Sequence, residues 1–356
     1  MEGTKRQITR LPRAAMASLL VIALAFGVAA FAYFLAPDHS PFANRMVVEI
    51  GGKPPGYTQQ FLLLKRPAAG RTDFLQRLWS GAPDTCIYVP ITRWSIAGDS
   101  LHVDKYIDDG LTEPQAYALQ SIDPYRNGRY LYTQRFYLGT DRFGRDVLSR
   151  LIIGTRVSLS VGLVAVALSL TIGIFLGALG GYYGGKTDDV IVWFMNIVWS
   201  IPTLLLVFAI TFALGKGFWQ VFVAVGLTLW VNVARTLRGQ VLALRHIEYV
   251  EAGRALGFSD ARIITRHILP NVIGPVLVIS AANFASAIVI EAGLSFLGVG
   301  VQPPQPSWGL MIKENYSFII THNPSLAIVP GVAIMVLVLA FNLLGNGLRD
   351  AMDVRS

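Results

Sequence analysis

Eight consecutive residues, Gly180-Gly181-Tyr182-Tyr183-Gly184-Gly185-Lys186-Thr187, carry the letters of a nucleotide-binding phosphate loop. Such a loop follows a buried strand, and its backbone N–H groups cradle phosphates at the start of a helix. Here the eight residues follow a 24-residue apolar stretch, Val157–Gly180, and no strand with a metal-holding Asp appears downstream. They read as a glycine-rich turn between two apolar helices, and the chain by itself is not expected to bind ATP. Other candidates for chemistry are as sparse. The histidines His39, His102, His246, His267 and His322 form no i, i+4 pair and no His-Glu-x-x-His zinc motif. A Gly-x-Ser-x-Gly nucleophile elbow is absent as well. Cys86 is the single cysteine, which excludes an internal disulfide framework and a cysteine zinc site. No catalytic, cofactor-binding or metal-binding residues are expected. Glu291, directly after the apolar stretch that ends at Ile290, is a candidate for a gate or pathway; at the end of that stretch it could also simply reach headgroups or water.

The elements that would position these residues follow from composition. Apolar types make up 53% of the 356 residues, with 34 Gly besides, while charged residues are only 15% against about 25% in soluble domains. Mean hydropathy is +0.50. So few charges cannot cover a water-facing surface, and disorder needs the opposite composition. The chain reads as an all-α polytopic membrane protein. Six stretches meet the roughly 20 apolar residues needed to cross hydrocarbon: Ala14–Ala36, Val157–Gly180, Val190–Gly215, Gly217–Ala234, Ile268–Ile290 and Pro324–Leu348. Pro202, Pro275 and Pro330 fall inside them, as membrane helices with close neighbours allow. The first stretch, preceded by Lys5, Arg6, Arg10 and Arg13, has the flanks of a signal peptide but is too long for one, and is read as a retained helix. Gly173, Gly177, Gly181 and Gly185 recur every fourth residue, a pattern that bares one helix face for close packing.

Net charge is +8, and its placement sets orientation rather than pointing to nucleic acid. With the N-terminus inside, 13 of the 30 Lys and Arg lie in cytoplasmic segments, and the two short outside loops hold only Lys216 and Lys313. Both termini are therefore expected in the cytoplasm. This divides the chain into a cytoplasmic N-terminus (1–13), a first transmembrane helix (14–36), a large extracytoplasmic insert (37–137), a membrane domain with helices two to six (138–350) and a cytoplasmic C-terminus (351–356). The insert holds 14 of the 39 aromatic residues and is broken by Pro54-Pro55, Pro67, Pro83, Pro90, Pro114 and Pro124. It reads as an ordered, irregular cap, with a weak strand signal in Cys86–Ile91.

The largest cytoplasmic loop, 246–270, is amphipathic. Ile247, Val250, Ala255 and Ile263-Ile264 mark an apolar stripe on two short helices, with Gly257 ending the first, Ser259 capping the second and Pro270 marking entry to the next span. From periodicity alone, such a pair could also lie on the lipid surface. Its Glu251-Ala252-Gly253, Gly257 and Leu269-Pro270 resemble the EAA loop of permease subunits in ATP-binding-cassette importers, with Gly253 where Ala is usual and His267 where an apolar residue is common. Gly139-Thr140-Asp141-Arg142-Phe143-Gly144-Arg145-Asp146-Val147-Leu148-Ser149-Arg150 resembles the motif before the second span in the dipeptide/oligopeptide and nickel branch. Leu294–Gly298, Gln302-Pro303-Pro304, Pro306–Gly309 and Asn342–Asp350 resemble further segments of that branch.

The resemblance implies a bacterial inner-membrane permease subunit and not an enzyme. It implies a homologous permease partner, two cytoplasmic ATPases holding ATP and Mg²⁺, and an extracytoplasmic solute-binding protein. The cargo would be a di- or oligopeptide, or alternatively a nickel chelate. Glu251, Ala252, Gly253, Gly257, Leu269 and Pro270 would form the ATPase-coupling loop, and Gly139, Thr140, Asp141, Gly144, Arg145 and Asp146 the motif ahead of helix two. Outside this class, a membrane-embedded enzyme would need clustered His, Asp or Glu in the spans, and a secondary transporter or channel would show inverted repeats; neither is seen.

Overall fold

The structure is a computed structural model that describes residues 12–66, 73–123, 130–215, 217–320 and 323–353. Lys5, Arg6, Arg10, Pro67, Pro124, Lys216, His322 and the end of the C-terminal segment lie outside the described residues. In chain order the elements are α1 (Arg13–Ala30), α2 (Ala32–Leu35), β1 (Tyr57–Lys65), α3 (Phe74–Ser80), β2 (Cys86–Ala97), β3 (Ser100–Asp108), β4 (Leu111–Ala118) and β5 (Leu131–Phe136). There follow α4 (Val147–Tyr183), α5 (Gly185–Ser200), α6 (Thr203–Leu214), α7 (Phe218–Leu244), α8 (Glu248–Ala255), α9 (Asp260–Arg262), α10 (Ile273–Leu297), α11 (Trp308–Asn315) and α12 (Ser325–Asp353).

Helices α1, α4, α7, α10 and α12 are each long and apolar enough to cross a membrane. The expected span Val190–Gly215 is not one helix: α5 and α6 meet at a 94° bend. Pro202 is the cause. It has no N–H to continue the ladder, and it pushes Ile201 into an extended conformation (φ −93°, ψ 130°). Pro270 has a related effect at the next boundary, where Leu269–Asn271 is a 3₁₀ turn and α10 begins at Ile273 rather than Ile268. Pro275 then falls in the first turn of α10, where a missing N–H costs nothing.

The chain divides into two compact units. One comprises residues 27–157 and 303–333, and its core is a five-stranded antiparallel sheet of order β4-β3-β2-β1-β5. The insert is therefore not irregular, and the chain is mostly helical rather than all-α. Strand β1 carries a continuous apolar run, Phe61 to Leu64, in place of alternation. Phe61 and Leu63 bury on one face with Val47, Ile50 and Phe136, and Leu62 buries on the other with Val89, Ile91 and Leu101. A strand covered on both faces reads as a continuous apolar run. The prolines occupy positions a sheet tolerates. Pro90 lies in the half of β2 that pairs only with β1, before pairing with β3 begins at Ile91, and Pro114 lies on the edge strand β4.

The other unit comprises residues 1–26, 158–302 and 334–356. Within it Gly173, Gly177 and Gly181 on α4 face α7, where a Cβ at Gly177 would lie 2.6 Å from the Ala234 carbonyl oxygen and one at Gly181 2.7 Å from Val241 Cβ. Gly185 is not part of this row; it starts α5, and a Cβ there would meet nothing within 4 Å. The phosphate-loop letters thus span the end of α4 and the corner at Gly184 (φ +66°), with no preceding strand. Gly177→Ala should force the α4 and α7 backbones apart at a cost of about 1–3 kcal/mol. Gly239→Ala, exposed on α7 with open space at its Cβ, should be neutral or stabilising by up to about 1 kcal/mol. Thermal unfolding of the two variants in detergent should therefore move in opposite directions, or only the first should move.

Candidate functional site

The loop between α7 and α10 has two chemically distinct sides. Val250 on α8, together with Ile263 and Ile268 of a π-helical turn (Ile263–Ile268), is fully buried against Ala178 and Tyr182 of α4 and Leu237 and Val241 of α7. Polar contacts reinforce this seat. Tyr182 Oη donates to Asp260 Oδ1 at 2.7 Å, and the Arg254 guanidinium lies 5.0 Å from the Tyr182 ring centroid. Two further bonds tie the neighbouring segments: Arg238 of α7 pairs with Asp188 of α5, and Arg245 Nη1 donates to the Gly181 carbonyl at 3.2 Å. The opposite side is open: Glu248, Glu251, Ala252, Leu256 and Gly257 are exposed, Leu256 at 72%.

Gly257 terminates α8 with a left-handed φ of +76°. Its N–H bonds the Arg254 carbonyl at 2.9 Å and the Phe258 N–H bonds the Gly253 carbonyl at 3.0 Å, the pair of bonds that closes a helix at a glycine. Gly253 is buried, and a Cβ there would sit 3.4 Å from Phe258 Cδ2, ordinary contact distance that also admits alanine. His267 stacks on the Phe258 ring (centroids 5.8 Å, interplanar 15°), with Arg262 on Phe258 at 4.0 Å. A polar residue is thus accommodated where an aliphatic one is common. Ser259 has the backbone of an N-cap but its side chain makes no capping bond. Leu269 is half-buried against the same core, and Pro270 is exposed.

Glu291 does not reach headgroups or water. It is fully buried on α10 and accepts a hydrogen bond from Ser295 Oγ at 2.7 Å, while Ser295 Oγ accepts from Val301 N–H at 3.0 Å. These two bonds fold the 295–301 turn back onto the helix end, with Gly298 left-handed (φ +88°).

The segment 139–146 forms a separate polar knot. Gly139 (φ +78°) and Gly144 (φ +73°) leave no room for a Cβ, which would strike the carbonyls of Lys53 and Val47 respectively. Thr140 Oγ1 donates to the Ile50 carbonyl and accepts from Lys53 N–H. Asp141 Oδ1 accepts from the N–H groups of Phe143 and Arg145, and its Oδ2 accepts from Arg145 Nε at 2.6 Å. Asp146 caps α4, accepting from Ser149 N–H at 2.9 Å, and burial pushes its carboxyl up from the usual range against the pull of those bonds.

Arg145 and Arg150 are each 1% exposed and share a second carboxylate, Glu314 of α11, at 2.6 and 3.4 Å. Trp308 Nε1 donates to the Leu151 carbonyl at 3.0 Å, and its ring sits where a Cβ on Gly154 would be. Two segments the sequence treated separately, 139–150 and 306–309, therefore form one structure. Glu314 was not singled out from sequence, although it is the only acid between Glu291 and Asp350 and two arginines needed a counter-charge. This set of paired charges holds the 139–150 segment and α11 together. Glu314→Gln should cost about 3–5 kcal/mol by stranding buried positive charge, and adding Arg150→Met should recover part of that loss. Unfolding midpoints of the single and double variants check both statements.

The sequence pattern of the family described as "binding-protein-dependent transport system inner membrane component" matches residues 169–355. A glutathione transport system permease protein of Pectobacterium atrosepticum is 42% identical over 217 residues, 61% of this chain and 72% of its own. An oligopeptide transport system permease protein of Bacillus subtilis is 39% identical over 217 residues, 61% of this chain and 71% of its own. A dipeptide transport system permease protein of Alkalihalophilus pseudofirmus is 40% identical over the same length, 61% and 71%. With the match covering more than half of the chain, and with apolar helices that fit a membrane component, this protein belongs to the family of inner-membrane components of binding-protein-dependent transport systems.

Proposed function

We propose that this permease forms half of the translocation pathway of an ATP-binding-cassette importer for short peptides, and that the 246–270 loop couples it to a partner ATPase. The observation that carries the reading is the two-sided loop: an apolar face seated on the ends of α4 and α7, and an open face bearing Glu248, Glu251 and Leu256. A seated face passes motion into the helices, and an open one is available to a partner. In this reading two ATPases hold ATP and Mg²⁺, a homologous permease completes the pathway, and an extracytoplasmic binding protein delivers the cargo. Closure of the ATPases on ATP would move the two loops together, and hydrolysis would release them. The relatives named for glutathione, oligopeptides and dipeptides support a peptide cargo over a nickel chelate.

The same reading puts both termini and Ser259 in the cytoplasm, with the sheet unit outside, near the binding protein or the partner permease. A membrane-impermeant thiol reagent should label Ile96→Cys and Ile320→Cys, both exposed, in spheroplasts. Ser259→Cys should react only after permeabilisation. Labelling of Ser259→Cys in intact spheroplasts would overturn the sidedness.

Coupling is tested at Glu251 and Gly257. Glu251→Lys reverses a charge on the open face, and loss of one partner of an interfacial pair costs about 2–5 kcal/mol in association. Gly257→Arg imposes a left-handed backbone on a residue with a Cβ, at about 1–3 kcal/mol, whereas Gly257→Asn keeps the turn. The Lys and Arg variants should insert normally yet lose ATPase association or transport-linked hydrolysis, and the Asn variant should keep both. Wild-type transport by a Glu251→Lys, Gly257→Arg double variant would favour a loop that merely lies on anionic lipid, where added positive charge helps.

A further inference from the structure

Helix α3 has no role in the reading above, and its surface is unusual. Residues Phe74, Leu75, Leu78 and Trp79 share an arc of about 140° on a helix of 100° per residue, and Gln76, Arg77 and Ser80 occupy the rest. Phe74, Leu75 and Trp79 are 64%, 68% and 72% exposed. Three large apolar side chains on two turns of a water-facing helix would be costly. Asp73 caps the helix start by accepting the Phe74 N–H, so this conformation is built in rather than incidental.

Two contacts fix the level of α3 relative to the apolar helices of its own unit. At its N-terminal end the Phe74 ring lies 5.8 Å from that of Phe34, in the last turn before Ala36-Pro37-Asp38, where the first apolar stretch ends. At its C-terminal end Arg156, the last charge before the apolar run of α4, stacks 4.1 Å from the Trp79 ring and donates to the carbonyls of Trp79 (3.0 Å) and Leu78 (3.4 Å). Arg156 also lies 6.0 Å from the ring of Tyr33, beside Phe34. A bond from Ala82 N–H to the His39 carbonyl (2.8 Å), with His39 Nδ1 2.7 Å from the Tyr33 carbonyl, secures the exit of α3 to the same turn. Both ends of α3 are thus pinned where an apolar helix meets polar chain. Tryptophan and arginine at such a boundary mark the membrane–water interface.

We propose that α3 lies in the membrane–water interface and seats Phe74, Leu75 and Trp79 among lipid headgroups and the upper acyl chains, tethering the β-sheet unit to the bilayer. The occupant of this face is lipid, and the geometry holds whichever side of the membrane the sheet occupies. The apolar arc, the polar back and the paired boundary contacts are what an interfacial helix requires.

The test uses the full chain in nanodiscs of phosphatidylethanolamine and phosphatidylglycerol, with an environment-sensitive NBD label on Leu75→Cys. Ile96→Cys, exposed on β2, is the aqueous reference, and the protein without an introduced cysteine is the blank for the buried Cys86. The Leu75 label should emit to the blue of the Ile96 label, and phospholipid carrying a shallow nitroxide should quench it at least about threefold more. Aqueous iodide should show the reverse preference. Equal iodide quenching at the two positions would overturn the proposal, as would protection of the Leu75 label from both quenchers, which would mean another protein covers α3.

Discussion

Close approach of the α4 and α7 backbones is the constraint on which the membrane unit depends. Gly173, Gly177 and Gly181 remove the side chains that would hold the helices apart, and the pair then presents Ala178, Tyr182, Leu237 and Val241 as one apolar floor. In hydrocarbon no hydrophobic force drives helices together, so this packing must come from contact itself. The floor receives Val250, Ile263 and Ile268, and the loop that carries them has a defined attitude only because the floor is continuous. In the coupling role proposed for it, a loop on loosely packed helices would absorb a push instead of passing it on. The left-handed turn at Gly257 serves the same end by fixing the angle between α8 and the segment that returns to the floor.

The second unit is organised by buried charge. Arg145 and Arg150 share Asp141 and Glu314, and every member is almost fully buried. Such a set contributes little net stability over apolar side chains of equal volume, but it tolerates few alternative arrangements, because each displaced charge is left unpaired. Its effect is to define how the 139–146 turn, the start of α4 and α11 meet. The glycines at 139 and 144 allow the turn to press against the Lys53 and Val47 carbonyls, which places Asp141 where both arginines reach it.

Much of this was legible in residue types. Hydrocarbon thickness made the spans visible, and the Gly257 turn, the glycine face and the two motif segments stood out for local reasons. What escaped depended on partners distant in sequence. Pro202 was evident, but whether it kinks or breaks a helix is decided by neighbours, and here it breaks one. Leu62 between Phe61 and Leu63 hid a central strand because both faces are covered. Glu314 acquires meaning only beside two arginines more than 160 positions earlier. Gly185 continued a spacing but not a surface, since the helix ends two residues before it. His267 looked like a departure until Phe258 supplied a ring to stack on.

The central claim, that the open face of the 246–270 loop is covered by an ATPase, is tested most directly by a photo-crosslinker in place of Leu256, the most exposed apolar side chain of that face. In membranes carrying the permease with its partner subunits, illumination should join the chain to the ATPase, identified by mass spectrometry of the adduct, and the yield should change when ATP is trapped. An adduct to phospholipid alone, unchanged by nucleotide, would contradict the account.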